Sequence, residues 1–116
     1  MSDAIADALH RLARARYFNE DQLQEAAARV ITEAGFDVQR EVRLSPRDRI
    51  DLLAGRVGIE VKVDGGTAAV LRQLTRYAQS GQVDELILLT SRARHQMPAQ
   101  IDGIPVRVVS LITGGL

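Results

Sequence analysis

Apolar residues along this chain recur first at a period near 3.6 and then at a period of two, and the change falls near residue 38. Ile5, Leu9 and Leu12 share one stripe, which predicts a first helix capped by Ser2 and running to about Arg16. A second helix opens at Asn19, which with Gln22 three residues on reads as a capping box. Its stripe is Leu23, Ala27, Val30, Ile31 and Ala34, and Gly35 suits the left-handed position past its end. Val38, Val42 and Leu44 then alternate with Gln39, Glu41 and Arg43, as on a half-buried strand. Ser45-Pro46-Arg47-Asp48 is turn chemistry. Ile50-Asp51-Leu52-Leu53 reads as a second strand, and Ala54-Gly55-Arg56 as a tight hairpin into a third, Val57 to Val63.

Asp64-Gly65-Gly66 breaks the chain, and Thr67 is placed to cap a helix reaching about Gln79. Asp84 to Thr90 contains the continuous apolar run Leu86-Ile87-Leu88-Leu89, expected of a strand buried on both faces. A polar loop with Pro98 leads to a short last strand, Val106 to Val109, and the tail Thr113 to Leu116 is expected to fray. The order α-α-β-β-β-α-β-(α or loop)-β predicts an α/β fold, a mixed central sheet flanked by helices. A chain of 116 residues makes one such domain, without repeats or linkers.

Composition narrows the class only a little. No run approaches the ~18 apolar residues that cross a bilayer, and Met1-Ser2-Asp3-Ala4 does not open a secretory signal. The absence of cysteine excludes disulfide and thiolate chemistry. The expectation is an intracellular, cytoplasmic protein of bacterial or phage origin. Fifteen basic and fifteen acidic residues cancel, so bulk charge does not hold nucleic acid. The arginines nevertheless bunch, Arg11, Arg14 and Arg16 on the first helix and Arg40, Arg43, Arg47 and Arg49 around one hairpin. A phosphate-facing surface and ordinary solvated faces fit that bunching equally well.

One cation stands apart. The chain has fourteen arginines and a single lysine, Lys62, two residues after Glu60. Arginine is a fork that stays charged, whereas lysine is a compact ammonium that its site can tune. On a strand, residues two apart share a side, so Glu60 and Lys62 lie on one face and Ile59, Val61 and Val63 on the other. A charged pair on a solvated face would explain this much. Asp51 weakens that explanation, because it stands in an otherwise apolar strand, opposite in direction to Ile50 and Leu52, where a hairpin brings it beside Glu60. Two carboxylates on one face repel unless a cation lies between them. Oxygen ligands suit Mg²⁺ or Mn²⁺, with the Val61 carbonyl as a further donor. Lys62 could then orient an attacking water. On the following helix Gln73 and Tyr77 are four apart on the inward edge, where a buried amide needs a polar partner. The acidic site would supply it.

Asp51 followed by Glu60-Val61-Lys62, with a helix before the hairpin and a crossover helix after it, resembles the PD-(D/E)XK nuclease superfamily. Gln73-Leu74-Thr75-Arg76-Tyr77 looks like the QxxxY motif of its RecB-type exonuclease branch. Ala34 to Val38 followed by Ile50-Asp51-Leu52 is similar to archaeal Holliday junction resolvases. The resemblance covers roughly Glu20 to Thr90. It implies a restriction-endonuclease-like sheet and Mg²⁺- or Mn²⁺-dependent cleavage of DNA. On that pattern Asp51, Glu60 and Val61 hold the metal, Lys62 assists the nucleophile, and Gln73 and Tyr77 shape the site. Arg49-Ile50 stand where the proline of the family name would be. Members often add a helix glutamate; here Glu20 is the choice, Gln24 occupies the resolvase position, Glu25 points to solvent, and Glu41 is an alternative acid. Arg47, Arg49, Arg72 and Arg76 are the candidate phosphate contacts.

His10 and His95 have no ligand spacing and read as surface residues. The leading expectation is a small DNase directed by structure or ends, acting alone or in a larger DNA-processing complex. A resolvase would need a homodimer for two symmetric cuts. The rival of a different class is a non-catalytic module that keeps the fold to bind DNA or protein; the joint presence of Asp51, Glu60, Lys62 and Gln73 argues against it. RNA stands beside DNA as a substrate, since nothing in the sequence reads a 2′-hydroxyl.

Overall fold

In the computed structural model of the chain, which describes residues 1–14, 19–92 and 95–111, the switch of hydrophobic period marks the passage from two helices into a sheet. Helix α1 (Ser2–His10) tightens into a 3₁₀ turn at Arg11–Arg14, so the first helix is shorter than its stripe suggested. Arg16 and the tail expected to fray lie outside the described residues. Met1, not Ser2, is the N-cap, and Ser2 is itself buried in the first turn. Helix α2 (Glu20–Glu33) starts as read: the Asn19 side chain accepts the Gln22 N–H at 2.8 Å. It ends in a Schellman motif, in which Gly35 (φ +98°) donates to the Thr32 carbonyl and Phe36 to that of Ile31.

Strands β1 (Gln39–Arg43), β2 (Arg49–Ala54) and β3 (Val57–Lys62) form an antiparallel meander. Helix α3 (Thr67–Gln79) then crosses to β4 (Glu85–Thr90), which lies parallel to β3. The N-cap of α3 is Gly66, so Thr67 begins the helix and does not cap it. In place of a further helix, a two-residue strand β5 (Gln100–Ile101) hairpins into β6 (Ile104–Ser110), which is longer than expected and parallel to β4. Among the described residues the result is an α/β domain with one mixed six-stranded sheet, in the order β1-β2-β3-β4-β6-β5, and three α-helices.

The sheet separates two apolar cores. One packs α1 and α2 on Leu52, Ile59, Val61, Ile87, Leu89 and Val109; the other packs α3 on Ile50, Leu86 and Leu88. The buried β4 run contributes to both, as its continuous hydrophobicity requires. Ile50 and Leu52 therefore lie on opposite faces, and the simple alternation expected around Asp51 fails. β2 turns over at Asp51, where it has left its neighbour: the β2–β3 ladder runs from Ala54↔Val57 to Leu52↔Ile59 and goes no further. Gly58 makes room for the crossover, since a Cβ there would lie 2.5 Å from Ile50 Cδ1. Glu41, opposite Asp51 in register, has φ +54°, so the edge strand is distorted at the same level.

Candidate active site

Where the β2–β3 ladder opens, carboxylates take over the backbone bonds. Asp51 Oδ2 accepts the Val61 N–H at 2.8 Å, and Glu60 Oε1 accepts the Asp51 N–H at 3.3 Å. In an extended strand the N–H and C=O of one residue point the same way, so the Val61 carbonyl faces this gap as well. The next carbonyl, that of Lys62, points the other way and accepts Ser91 N–H at 3.1 Å. Glu60 Oε2 pairs with Lys62 Nζ at 3.1 Å, with the glutamate side chain 2% exposed and the lysine 18%. The sequence expectation that Asp51, Glu60 and Lys62 meet is met in the fold, although Asp51 reaches Glu60 through a splayed strand and not a regular cross-strand pair.

Two acids and one ammonium leave the gap short of positive charge. Burial pushes the Glu60 carboxyl up to about 7, Asp51 adds to the rise, and Lys62 offsets part of it. Asp51 is raised too, first by burial, against the lowering effects of the Val61 N–H and Lys62. The charge of Glu20 raises Asp51 further, and a hydrogen bond between Asp51 and Glu60 lowers it. Among the described residues no three His, Cys, Asp or Glu side chains converge on one point. A divalent cation here would therefore rest on Asp51, Glu60 and a backbone oxygen, Val61's. That donor set is all oxygen, anionic and under-compensated, and it fits Mg²⁺ or Mn²⁺.

Gln73 and Tyr77 lie on the α3 face as expected, but their bonding differs from the expectation. Gln73 Nε2 donates to the Tyr77 hydroxyl at 2.8 Å, so the amide finds its partner within the helix and not among the acids. The hydroxyl in turn donates to the Arg49 carbonyl at 3.0 Å. Tyr77 is fully buried, and burial followed by the charge of Glu60 pushes its phenol well above the ordinary value. The pair thus holds β2 from two residues before Asp51, at the point where the strand turns over.

Glu20, the chosen helix acid, reaches the same end of β3, where its Oε1 accepts the Val63 N–H at 3.4 Å. With Lys62, Asp64, Gly65 and Gln73 it borders a cavity of about 250 Å³ floored by Ala69 and Val70. Gln24 is buried, but its oxygen takes Nε and Nη2 of Arg40 at 3.1 and 2.8 Å and so turns toward β1. Glu25 is exposed and faces Arg29, as its helical phase implied. Glu41 is exposed on β1.

Arg47, Arg49, Arg72 and Arg76 are all exposed. Arg76 is committed to Asp48, Nε to Oδ1 at 2.7 Å, and its guanidinium holds the Asp48 carboxyl low with help from Ser45 and Arg47. Arg72 sits one helical turn from Arg76, and Arg47 and Arg49 flank Asp48 in the chain. Of the four, Arg76 and Arg47 act on Asp48.

One residue departs outright from its sequence reading. His95 is 1% exposed and bonded through both ring nitrogens. Neither its neighbours nor its spacing could have revealed this, since its partners are Thr90 and Gly65. No protein-family model, curated protein or solved structure significantly matches the chain.

Proposed function

We propose that the protein is a metal-dependent nuclease that hydrolyses DNA phosphodiester bonds, on a restriction-endonuclease-like fold. One observation carries the reading: a buried and a half-buried carboxylate, a strand carbonyl facing the gap and the chain's single lysine meet where a hairpin opens. The meander followed by a crossover helix and a parallel strand, with Gln73 and Tyr77 on that helix, supports it. A purely structural role gives no reason to bury Glu60 beside a second, half-buried carboxylate in place of apolar residues.

In this reading Asp51, Glu60 and the Val61 carbonyl hold Mg²⁺ or Mn²⁺, which when bound supplies a water of lowered pKa and positive charge beside the phosphate. Lys62, held by Glu60, donates hydrogen bonds to the attacking water or to a phosphate oxygen and offsets the charge that builds there. Tyr77 and Gln73 keep Asp51 in register through the Arg49 carbonyl. Glu20 polarises the cavity edge, and Arg47, Arg49 and Arg72, with Arg76 anchored on Asp48, take the flanking phosphates.

The test is cleavage of single-stranded, duplex, circular and four-way DNA, and of RNA, with Mg²⁺, Mn²⁺ or EDTA. Metal-dependent cutting should vanish in Asp51→Ala and Lys62→Ala; equal cutting by both variants would overturn the assignment. A second readout needs no turnover. Reductive ¹³C-methylation labels one side-chain amine only, that of Lys62, and Mg²⁺ should shift its NMR signal in the wild type but not in Asp51→Ala. Light scattering would reveal the homodimer that a resolvase needs.

A further inference from the structure

The turn between β3 and α3 carries the backbone flank of Lys62 and one wall of the cavity, and the segment after β4 grips it bond by bond. Ser91 N–H takes the Lys62 carbonyl at 3.1 Å, and Arg92 Nε takes that of Val63 at 2.7 Å. His95 Nε2 lies 2.8 Å from the Gly65 carbonyl, and its Nδ1 lies 2.5 Å from Thr90 Oγ1. Thr90 is fully buried at the end of β4 and is the register partner of Lys62. A carbonyl can only accept, so Nε2 must carry the proton. Nδ1 meets the Thr90 hydroxyl, whose oxygen already accepts the Arg92 N–H at 3.0 Å. Every bond in this chain has a donor and an acceptor once Nε2 carries a proton.

We infer that His95 is a positioning residue: as an Nε2–H donor, backed by Thr90, it fixes the Asp64–Gly66 turn and so sets the cavity wall beside Lys62. The inference rests on the nuclease reading for its consequence, though not for its geometry. Gly65 has φ +103°, a conformation that favours glycine, and the imidazole holds its carbonyl from outside the turn. Asp51, Glu60 and Val61 are held by the β2–β3 hairpin and the β3–β4 ladder, whose bonds do not run through the imidazole.

The experiment compares wild type with His95→Ala, His95→Gln and Thr90→Val. Nitrogen-15 NMR should find a proton on Nε2 of the wild-type ring. In His95→Ala and Thr90→Val, amide exchange at residues 65–67 should rise about tenfold while that of β2 and β3 stays within about twofold. His95→Gln, which can still donate to the Gly65 carbonyl, should recover most of the protection. With DNA and Mg²⁺, kcat should fall about tenfold or more in His95→Ala while the Mg²⁺ response of the labelled Lys62 amine is unchanged, and His95→Gln should rescue it. Turn exchange unaltered in both latch variants, or raised equally across the sheet, would overturn the positioning role. If His95→Ala does not fold, Thr90→Val and His95→Gln decide the matter by the same exchange pattern. Absence of cleavage by the wild type would count against the nuclease reading alone, because the Nε2 proton and the exchange pattern are read without substrate.

Discussion

At the scale of single residues the chemistry turns on Glu60, a carboxyl buried between Asp51 and Lys62. Its folded-state value of about 7 stands above the ordinary 4.5. A raised acid binds its proton more tightly folded than unfolded, so it contributes stability below 4.5 and loses that contribution as pH rises through about 7. Without divalent cations, stability should therefore decline from pH 5 to 8 by on the order of 3 kcal/mol from this group. Added Mg²⁺ should restore it most at pH 8, because there the Glu60 carboxyl is ionised and no proton competes with the cation. Denaturant titrations in EDTA and in Mg²⁺ check both signs; stability that climbs across the window in EDTA would contradict the assignment. Asp48 is lowered, so its contribution is lost only at more acid pH and does not mask this window. Asp51→Asn keeps an acceptor for the Val61 N–H and removes one of the two like charges. It should stabilise the metal-free protein by about 1 kcal/mol or more, while any cleavage falls by about a hundredfold or more.

At the scale of elements, the site depends on how β2 leaves β3. Tyr77 holds the Arg49 carbonyl, and Gly58 accepts Ile50 as it crosses the sheet. Tyr77→Phe should cost about 1 kcal/mol for the lost hydrogen bond and reduce kcat more than it reduces metal affinity. Gly58→Ala should destabilise by about 1–3 kcal/mol through overpacking against Ile50, Leu86 and Val83, measured by thermal melting. Local signals found these elements where the physics is local. Asn19 as a cap and Gly35 as a Schellman residue were legible because each bonds within its own turn. Ser2 and Thr67 misled because a capping-type residue beside a helix start does not fix which residue has the extended backbone. The alternation around Asp51 misled for a related reason: period two assumes a paired strand, and β2 is unpaired from β3 there.

At the scale of the whole molecule, a net charge of zero leaves four exposed arginines near one another in the chain or on one helix: Arg47 and Arg49 flank Asp48, Arg76 pairs with it, and Arg72 lies one helical turn from Arg76. If these face phosphates, DNA affinity should fall steeply with salt, and each of Arg47→Ala and Arg72→Ala should lower the magnitude of the log–log salt slope by about 1. An unchanged slope in both would remove them from the interface. Among the described residues no helix is long and apolar enough to cross a membrane, and the sheet with its three helices accounts for the apolar periodicity.

By itself the sequence determined the order of elements through β4, the two-layer burial of β4 and the pairing of Glu60 with Lys62, because these follow from periodicity, while the short hairpin brought Asp51 near them. Only the tertiary structure decided that Glu60 and Asp51 replace ladder bonds, that Gln73 serves Tyr77 and that Gln24 turns to Arg40. It alone also decided that His95 is a buried latch. Those facts belong to contacts between elements far apart in the chain, where which polar group finds which partner is set by packing and not by spacing.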